Sequence, residues 1–380
     1  MKVRFITLFL MFFMAFSMSS QERYSTKDVL AAYDAFNEHL FDKKRKLYYR
    51  DTDKPEKLGA IWTQAMYWDM AMNAYKLTGN KKYLKLVKDI FQGGAGEYDQ
   101  YNWDNAVEWF IYDDIMWWTV SLARAYELTG DKKYLKLSET SFNRVWYGSP
   151  VVKDPGSYDP KRGGMYWQWI QTDPPNRPVN DGKMACINYP AVIGAMSLYN
   201  HTGNEEYFDK AKEIYQWAHD NLFNATTGAV ADSKHGKGQP TWKMHVYNQA
   251  TCIGAAVMLY KKTNDERYLN DAVLAADYVK NVMCDENGII PGEGRGNLDN
   301  EQGIYTAILA QYIVRLIEDC NRPEYLPWLR HNIDTAWGNR DKKRNLVWKR
   351  YAIPTPEERP VTCYDASGIP ALMLVCPPEK

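Results

Sequence analysis

The chain has 380 residues and a formal net charge of zero, with 47 basic and 47 acidic side chains. That balance argues against a nucleic-acid binder, which carries a basic excess. The length suits one large domain or two ordinary ones, and its 14 Trp, 28 Tyr and 12 Phe provide flat apolar faces with polar edges, which serve a core and also suit pyranose rings.

Residues 1–20 read as a secretory signal. Lys2 and Arg4 give a positive start, Ile6 to Phe16 is apolar, and Ser17, Ser19 and Ser20 are small residues that a signal peptidase accepts. The apolar run is too short for a comfortable membrane span, and no cysteine nearby supports a lipid anchor. The expectation is an exported protein, periplasmic or extracellular, without stable membrane insertion, with residues 21–380 forming a single domain. The six cysteines include no Cys-x-x-Cys. Cys186, Cys252 and Cys376 lie in apolar runs, so mostly free thiols are expected.

A first helix is predicted from about Thr26 to Phe41. A pattern then recurs along the chain. It reads Ala74-Tyr-Lys-Leu-Thr-Gly-Asn-Lys-Lys-Tyr-Leu84 and Ala125-Tyr-Glu-Leu-Thr-Gly-Asp-Lys-Lys-Tyr-Leu135, with weaker copies at Leu198–Phe208 and Leu259–Leu269 and a degenerate one ending at Tyr325-Leu326. In each full copy a helix stops at Thr-Gly, where glycine takes the left-handed conformation. Asn or Asp then caps the next helix, and Tyr-Leu opens its apolar face. Each copy is therefore the turn of an antiparallel helix pair. Apolar spacing continues behind the turns, as at Leu84, Val87 and Ile90 or at Phe208, Ala211, Ile214 and Tyr215.

Five such turns, the first helix and a last one near Ala366 to Val375 imply roughly a dozen helices. Strand alternation is confined to short runs such as Gly164–Ile170. A repeat of this length makes an open solenoid or a closed ring. The long links Trp146–Lys183 and Asn224–Lys243 favour a ring whose loops gather on one face to build a site. The predicted fold is all-α, a toroid of about six helical hairpins.

The chemistry centres on Asp113 and Asp114 in Trp109-Phe-Ile-Tyr-Asp-Asp-Ile-Met-Trp-Trp118. Two like charges in an aromatic setting resist ionising together. One ionised carboxylate beside one protonated acid is what glycoside hydrolysis needs. The plain alternative is a helix-capping pair, since Asp is favoured at the cap and in the first turn.

Other candidates lie in the links. Trp103 and Asp104 sit in the link before the Asp pair. Tyr166, Trp167 and Trp169 adjoin the glycine pair Gly163-Gly164, which permits close approach of a ligand; if the segment alternates as a strand, at least one of these rings faces the opposite side. The amides of Asn248 and Gln249 suit sugar hydroxyls, with ordinary capping as the alternative. No His-Glu-x-x-His, paired-cysteine, EF-hand, dinucleotide, phosphate-loop or Gly-x-Ser-x-Gly motif occurs. No metal and no cofactor is expected.

The run Tyr112-Asp-Asp-Ile-Met-Trp-Trp118 followed by Arg124-Ala-Tyr-Glu-Leu-Thr-Gly-Asp131 resembles glycoside hydrolase family 76, bacterial and fungal α-1,6-mannanases with an (α/α)6 fold. Further matching runs are Trp62-Thr-Gln64, Arg162-Gly-Gly-Met-Tyr-Trp167, Lys183 to Asn188 and Tyr247-Asn-Gln249. The resemblance implies hydrolysis of α-1,6-linked mannan with retention, Asp113 acting as nucleophile and Asp114 as acid/base. It implies an α-mannan polysaccharide or oligosaccharide as partner. From their position in loops or at helix entries on the expected loop face, Trp62, Trp103, Tyr166 and Trp167 are expected to line sugar subsites around the Asp pair, Asp104 beside them, with Gln64, Asn248 and Gln249 on hydroxyls. Endo action and a monomer are expected. A non-catalytic glycan binder would keep the tryptophans without needing both aspartates. Another (α/α)6 enzyme, such as an unsaturated uronyl hydrolase or a sugar epimerase, would show basic residues or paired histidines near these motifs.

Overall fold

A computed structural model describes residues 23–169, 182–292 and 302–379. The signal-like residues 1–20 and most of the acidic 292–303 loop lie outside them. Twelve α-helices follow in chain order among the described residues: α1 Thr26–Leu40, α2 Ile61–Thr78, α3 Lys81–Glu97, α4 Tyr112–Thr129, α5 Lys132–Tyr147, α6 Ala185–Thr202, α7 Glu205–Leu222, α8 Val246–Thr263, α9 Glu266–Tyr278, α10 Gln302–Asp319, α11 Leu326–Gly338 and α12 Cys363–Val375.

The hairpin turns form as their chemistry dictates. Gly79, Gly130, Gly203 and Asn264 end α2, α4, α6 and α8 at φ of 64°, 70°, 69° and 55°. The next residues, Asn80, Asp131, Asn204 and Asp265, cap the following helices by accepting backbone N–H bonds. A tyrosine at the start of α3 and α7, and the one just before α11, ties back to an acid on the preceding outer helix. The Tyr83 hydroxyl donates to Asp34 at 2.9 Å, Tyr207 to Glu139 at 3.5 Å and Tyr325 to Asp277 at 2.9 Å.

Helices α2, α4, α6, α8, α10 and α12 pack each against the next, and α12 closes back onto α2. This is an (α/α)6 toroid. The inner helices are buried around most of their circumference, as α6 and α8 show, which explains why they read as apolar on every side. The outer helices bury one stripe, Tyr83, Val87 and Ile90 in α3 for example. All six cysteines are free thiols.

Strands are minimal among the described residues. β1 (Phe41–Asp42) pairs with β2 (Leu47–Tyr48), and β3 (Gly182–Met184) pairs antiparallel with β4 (Ser233–His235). The second pair joins the two long links on the face where α4, α6 and α8 begin. The expected strand near residues 164–169 is instead an extended strap, held by isolated bridges Tyr158–Met165 and Ile111–Gln168. Glycines at φ 68° and 73°, Gly163 and Gly164, break the pleat as they pass over the Trp217 ring.

Candidate active site

The Asp pair sits at the mouth of the ring. The N-cap of α4 is Ile111, which has no side chain able to cap, so neither aspartate is the cap. Asp113 and Asp114 are the second and third residues of the first turn, where the helix dipole favours negative charge. Asp113 is half-buried and Asp114 buried. The capping role falls to the strap: the Trp167 carbonyl accepts the N–H of Tyr112 at 2.9 Å and of Asp113 at 3.4 Å.

The first turn of α6 brings Cys186 to the pair. Its thiol hydrogen-bonds Asp113, and burial first, then the negative charges of Asp113, Asp232 and Asp114, push its pKa well up. Tyr247, on the first turn of α8, is likewise raised by burial and by Cys186, Tyr305, Asp232 and Asp113. Its ring lies 4.3 Å from that of Tyr305 on α10 and 5.6 Å from that of His245. Asp232 accepts from the Asn248 amide at 3.3 Å, and His245 Nε2 lies 3.9 Å from the same carboxylate oxygen. Three carboxylates, a thiol and two phenols thus converge where the N-termini of the inner helices meet.

On the α2 side, Trp62 is half-buried with its ring 6.0 Å from that of Trp117. Trp117 stands one turn beyond the Asp pair on α4. The indole of Trp118 donates to the Ile61 carbonyl at 3.0 Å, which fixes the start of α2 against α4. Trp62 and Trp167 are the two expected aromatic subsite residues that keep exposed surface at this mouth.

Several other expected ligands of sugar are occupied by the protein itself. Gln64 is fully buried; its amide accepts from the Tyr48 N–H at 2.9 Å and donates to the Tyr48 carbonyl at 3.0 Å. Gln249 is also fully buried and, with its amide oriented to satisfy both ends, donates to the Gly228 carbonyl and accepts from the Val230 N–H, each at 2.9 Å. Both amides fasten loops, so the hydroxyl-binding role expected of them is corrected. Asn248 is buried and acts on the site by holding Asp232.

Trp103 is buried in an aromatic cluster, 4.7 Å from Trp109 and 5.6 Å from Tyr101 by ring centroids. Its expected place in a sugar wall gives way to a place in the core. Asp104 pairs with Arg144 at 3.0 Å. Tyr166 is buried and donates to Asp159 at 2.9 Å, so its ring belongs to the support of the strap. Asp232 and Tyr305 escaped the sequence reading. A lone acid in a polar loop and a tyrosine inside an apolar helix carry no local signal. Cys186 and Tyr247 stood within runs singled out by resemblance.

The family model described as glycosyl hydrolase family 76 matches residues 17–355. The chain belongs to glycosyl hydrolase family 76. As a glycoside hydrolase of this family it shares its fold with solved relatives. The α-1,6-mannanase GH76A of Salegentibacter sp. HEL1_6 is 24% identical, with a TM-score of 0.77 over 92% of this chain and 98% of that one. A GH76 α-mannanase of Bacteroides thetaiotaomicron is 17% identical, with a TM-score of 0.74 over 92% of this chain and 94% of that one. Dfg5 of Chaetomium thermophilum, in complex with glucosamine, is 16% identical, with a TM-score of 0.70 over 94% and 90%. No protein of curated function matches the chain. Among the described residues, no helix is long and apolar enough to cross a membrane.

Proposed function

We propose that this family 76 member is a retaining hydrolase that cleaves α-1,6-mannosidic linkages within mannan backbones. The observation that carries the reading is the Asp113–Asp114 pair in the first turn of α4, at the ring mouth beside Cys186, Tyr247 and the aromatic stack of Trp62 on Trp117. An inactive variant of the Salegentibacter enzyme, in which two adjacent aspartates are replaced by asparagine, is a complex with α-1,6-mannotriose. That likeness supports a mannan substrate and a catalytic Asp pair here.

In this reading Asp113 attacks C1 of the mannosyl unit as Asp114 gives a proton to the departing O6. The C1–O6 bond breaks and an Asp113 glycosyl ester forms. Asp114, now a carboxylate, takes a proton from water as the water oxygen attacks C1. The ester bond breaks, Asp113 is freed and the α configuration returns. Trp62 and Trp167 offer apolar faces to the sugar rings, and Asp232 offers acceptors to their hydroxyls.

Proton NMR of early hydrolysis of a linear α-1,6-mannan tests the mechanism. The α anomer is expected first; the β anomer first would overturn retention, and an intact polymer would overturn the activity. Oligosaccharides of several lengths, rather than mannose alone, are the mark of endo action. We further propose that residues 1–20 direct export to the periplasm or beyond, and that the mature chain is a monomeric single domain. N-terminal sequencing of secreted protein and its mass in solution test both points.

A further inference from the structure

The runs around Arg162–Trp167 and Lys183–Asn188 do more than line a cleft. Lys183 is a buried cation on β3, its side chain 8% exposed, and it meets the equally buried Asp159 at 2.9 Å. The Lys183 ammonium also donates to the Gly163 carbonyl. The same Asp159 oxygen accepts from the Tyr166 hydroxyl at 2.9 Å and from Arg162 Nε at 2.8 Å, and the other accepts the N–H groups of Lys161 and Arg162 at 3.0 and 3.2 Å. Burial acts against the charge on Asp159, but the Lys183 and Tyr166 bonds outweigh it and hold the carboxyl well below the ordinary range.

This clasp closes the strap into a rigid turn. Beyond it, Asn188 of α6 grips Met165, accepting its N–H at 2.9 Å and donating to its carbonyl at 3.1 Å. The next residue but one, Trp167, donates its N–H to the Gly182 carbonyl beside Lys183 and places its own carbonyl on the N–H groups of Tyr112 and Asp113. Trp169 N–H then bonds the Phe110 carbonyl at 2.7 Å. The first turn of α4, lacking a side-chain cap, is thereby held by a chain of bonds that begins at Lys183.

We propose that Lys183 and Asp159 are positioning residues: their buried ion pair sets the strap that caps the helix bearing Asp113 and Asp114, and so sets the attack geometry of the pair. This rests on the catalytic reading of the two aspartates, but its first test does not. Losing either partner removes the direct tie between β3 and the turn at residues 159–163, with Arg162 left on the carboxylate when Lys183 goes, and the strap is free to lift. Local opening of that kind is read by amide exchange.

The experiment compares wild type with Lys183→Met and with Asp159→Asn, which keeps side-chain volume should the first fail to fold. Hydrogen–deuterium exchange at the amides of Tyr112 and Asp113 is expected to rise at least about tenfold. On α-1,6-mannotetraose, kcat is expected to fall at least about tenfold with KM within about threefold, the pattern of a lost transition-state arrangement. The double variant is expected to match the worse single one rather than multiply the losses. Unchanged exchange at 112 and 113 in a folded variant overturns the proposal, whatever the activity. Faster exchange with unchanged kcat also overturns it, because the clasp would then serve stability alone. Faster exchange in a protein whose wild type does not act on mannan would leave the clasp standing and remove the substrate reading instead.

Discussion

Arg144 and Asp154 pair at 2.5 Å directly beneath the residue that precedes the aspartate pair, for Asp154 also accepts from the Tyr112 hydroxyl. Both charged side chains are buried, at 5% and 0% exposure. Asp154 accepts in addition from the Gly156 N–H at 2.9 Å, in the link that leads to the strap. Thus α5, the link after it and the first residue of α4 share one ionic centre, and the turn bearing Asp113 and Asp114 is anchored from below as well as from the strap.

Arg144→Met should therefore destabilise the protein by about 3–5 kcal/mol, the cost of stranding a buried carboxylate. Urea unfolding measures it. Asp104, the outer partner of the same guanidinium, is 36% exposed. Asp104→Asn should cost under about 1 kcal/mol and leave oligosaccharide affinity near that of wild type. A large loss of affinity would restore Asp104 to the sugar site.

Asp113→Asn and Asp114→Asn should each lower turnover by about 100-fold or more, the range removed with a general acid or base, while melting temperature stays close to wild type. Neither side chain is the cap of α4, so neither substitution removes the bond that begins the helix. Single-turnover assays beside thermal melts check this. Near-normal rates in either folded variant would sink the assignment of both roles.

The two tryptophans once grouped together should now part. Trp62 keeps exposed surface and stacks near Trp117, so Trp62→Ala should weaken mannotriose binding about tenfold or more with little change in melting temperature. Trp103 is buried among Tyr101 and Trp109, so Trp103→Ala should cost about 3–5 kcal/mol of stability. Isothermal titration and denaturant unfolding on both variants decide. The reverse pattern would return Trp103 to the cleft.

What could be read in the sequence was local. Gly79-Asn80 and Gly130-Asp131 carry both the stop of one helix and the start of the next, so the hairpins and their number were legible. The Asp pair was legible because its two members are neighbours. Gln64 and Gln249 were misjudged because an amide offers the same donor and acceptor to a backbone as to a sugar; only the closed fold shows that Tyr48, Gly228 and Val230 have taken both. Asp232 and Tyr305 reach the Asp113 neighbourhood only through ring closure, more than a hundred residues along the chain. No pattern near either one marks it.

Asp365 gives a pH-dependent prediction at another inner helix. It holds the position in α12 that Asp114 holds in α4, third after the cap, and its N–H donates to the Thr362 hydroxyl at 3.0 Å. Among the described residues its Oδ1 meets no hydrogen-bond donor. Burial pushes its pKa from 3.8 up to about 6, against the opposing pull of Lys349 and Thr362. The folded chain therefore binds this proton more tightly than the unfolded chain. The cost of the charge is absent below about pH 4, grows as pH rises between the two values, and is complete above about 6. Asp365→Asn, which cannot ionise, should thus stabilise the protein at pH 7 relative to wild type by about 3 kcal/mol, and the gain should shrink towards zero at pH 4. Denaturant unfolding of both proteins at the two pH values reads the difference directly. A gain of equal size at both would mean that the substitution acts through packing, and a loss at pH 7 alone would mean that the ionised carboxylate is satisfied in the folded protein.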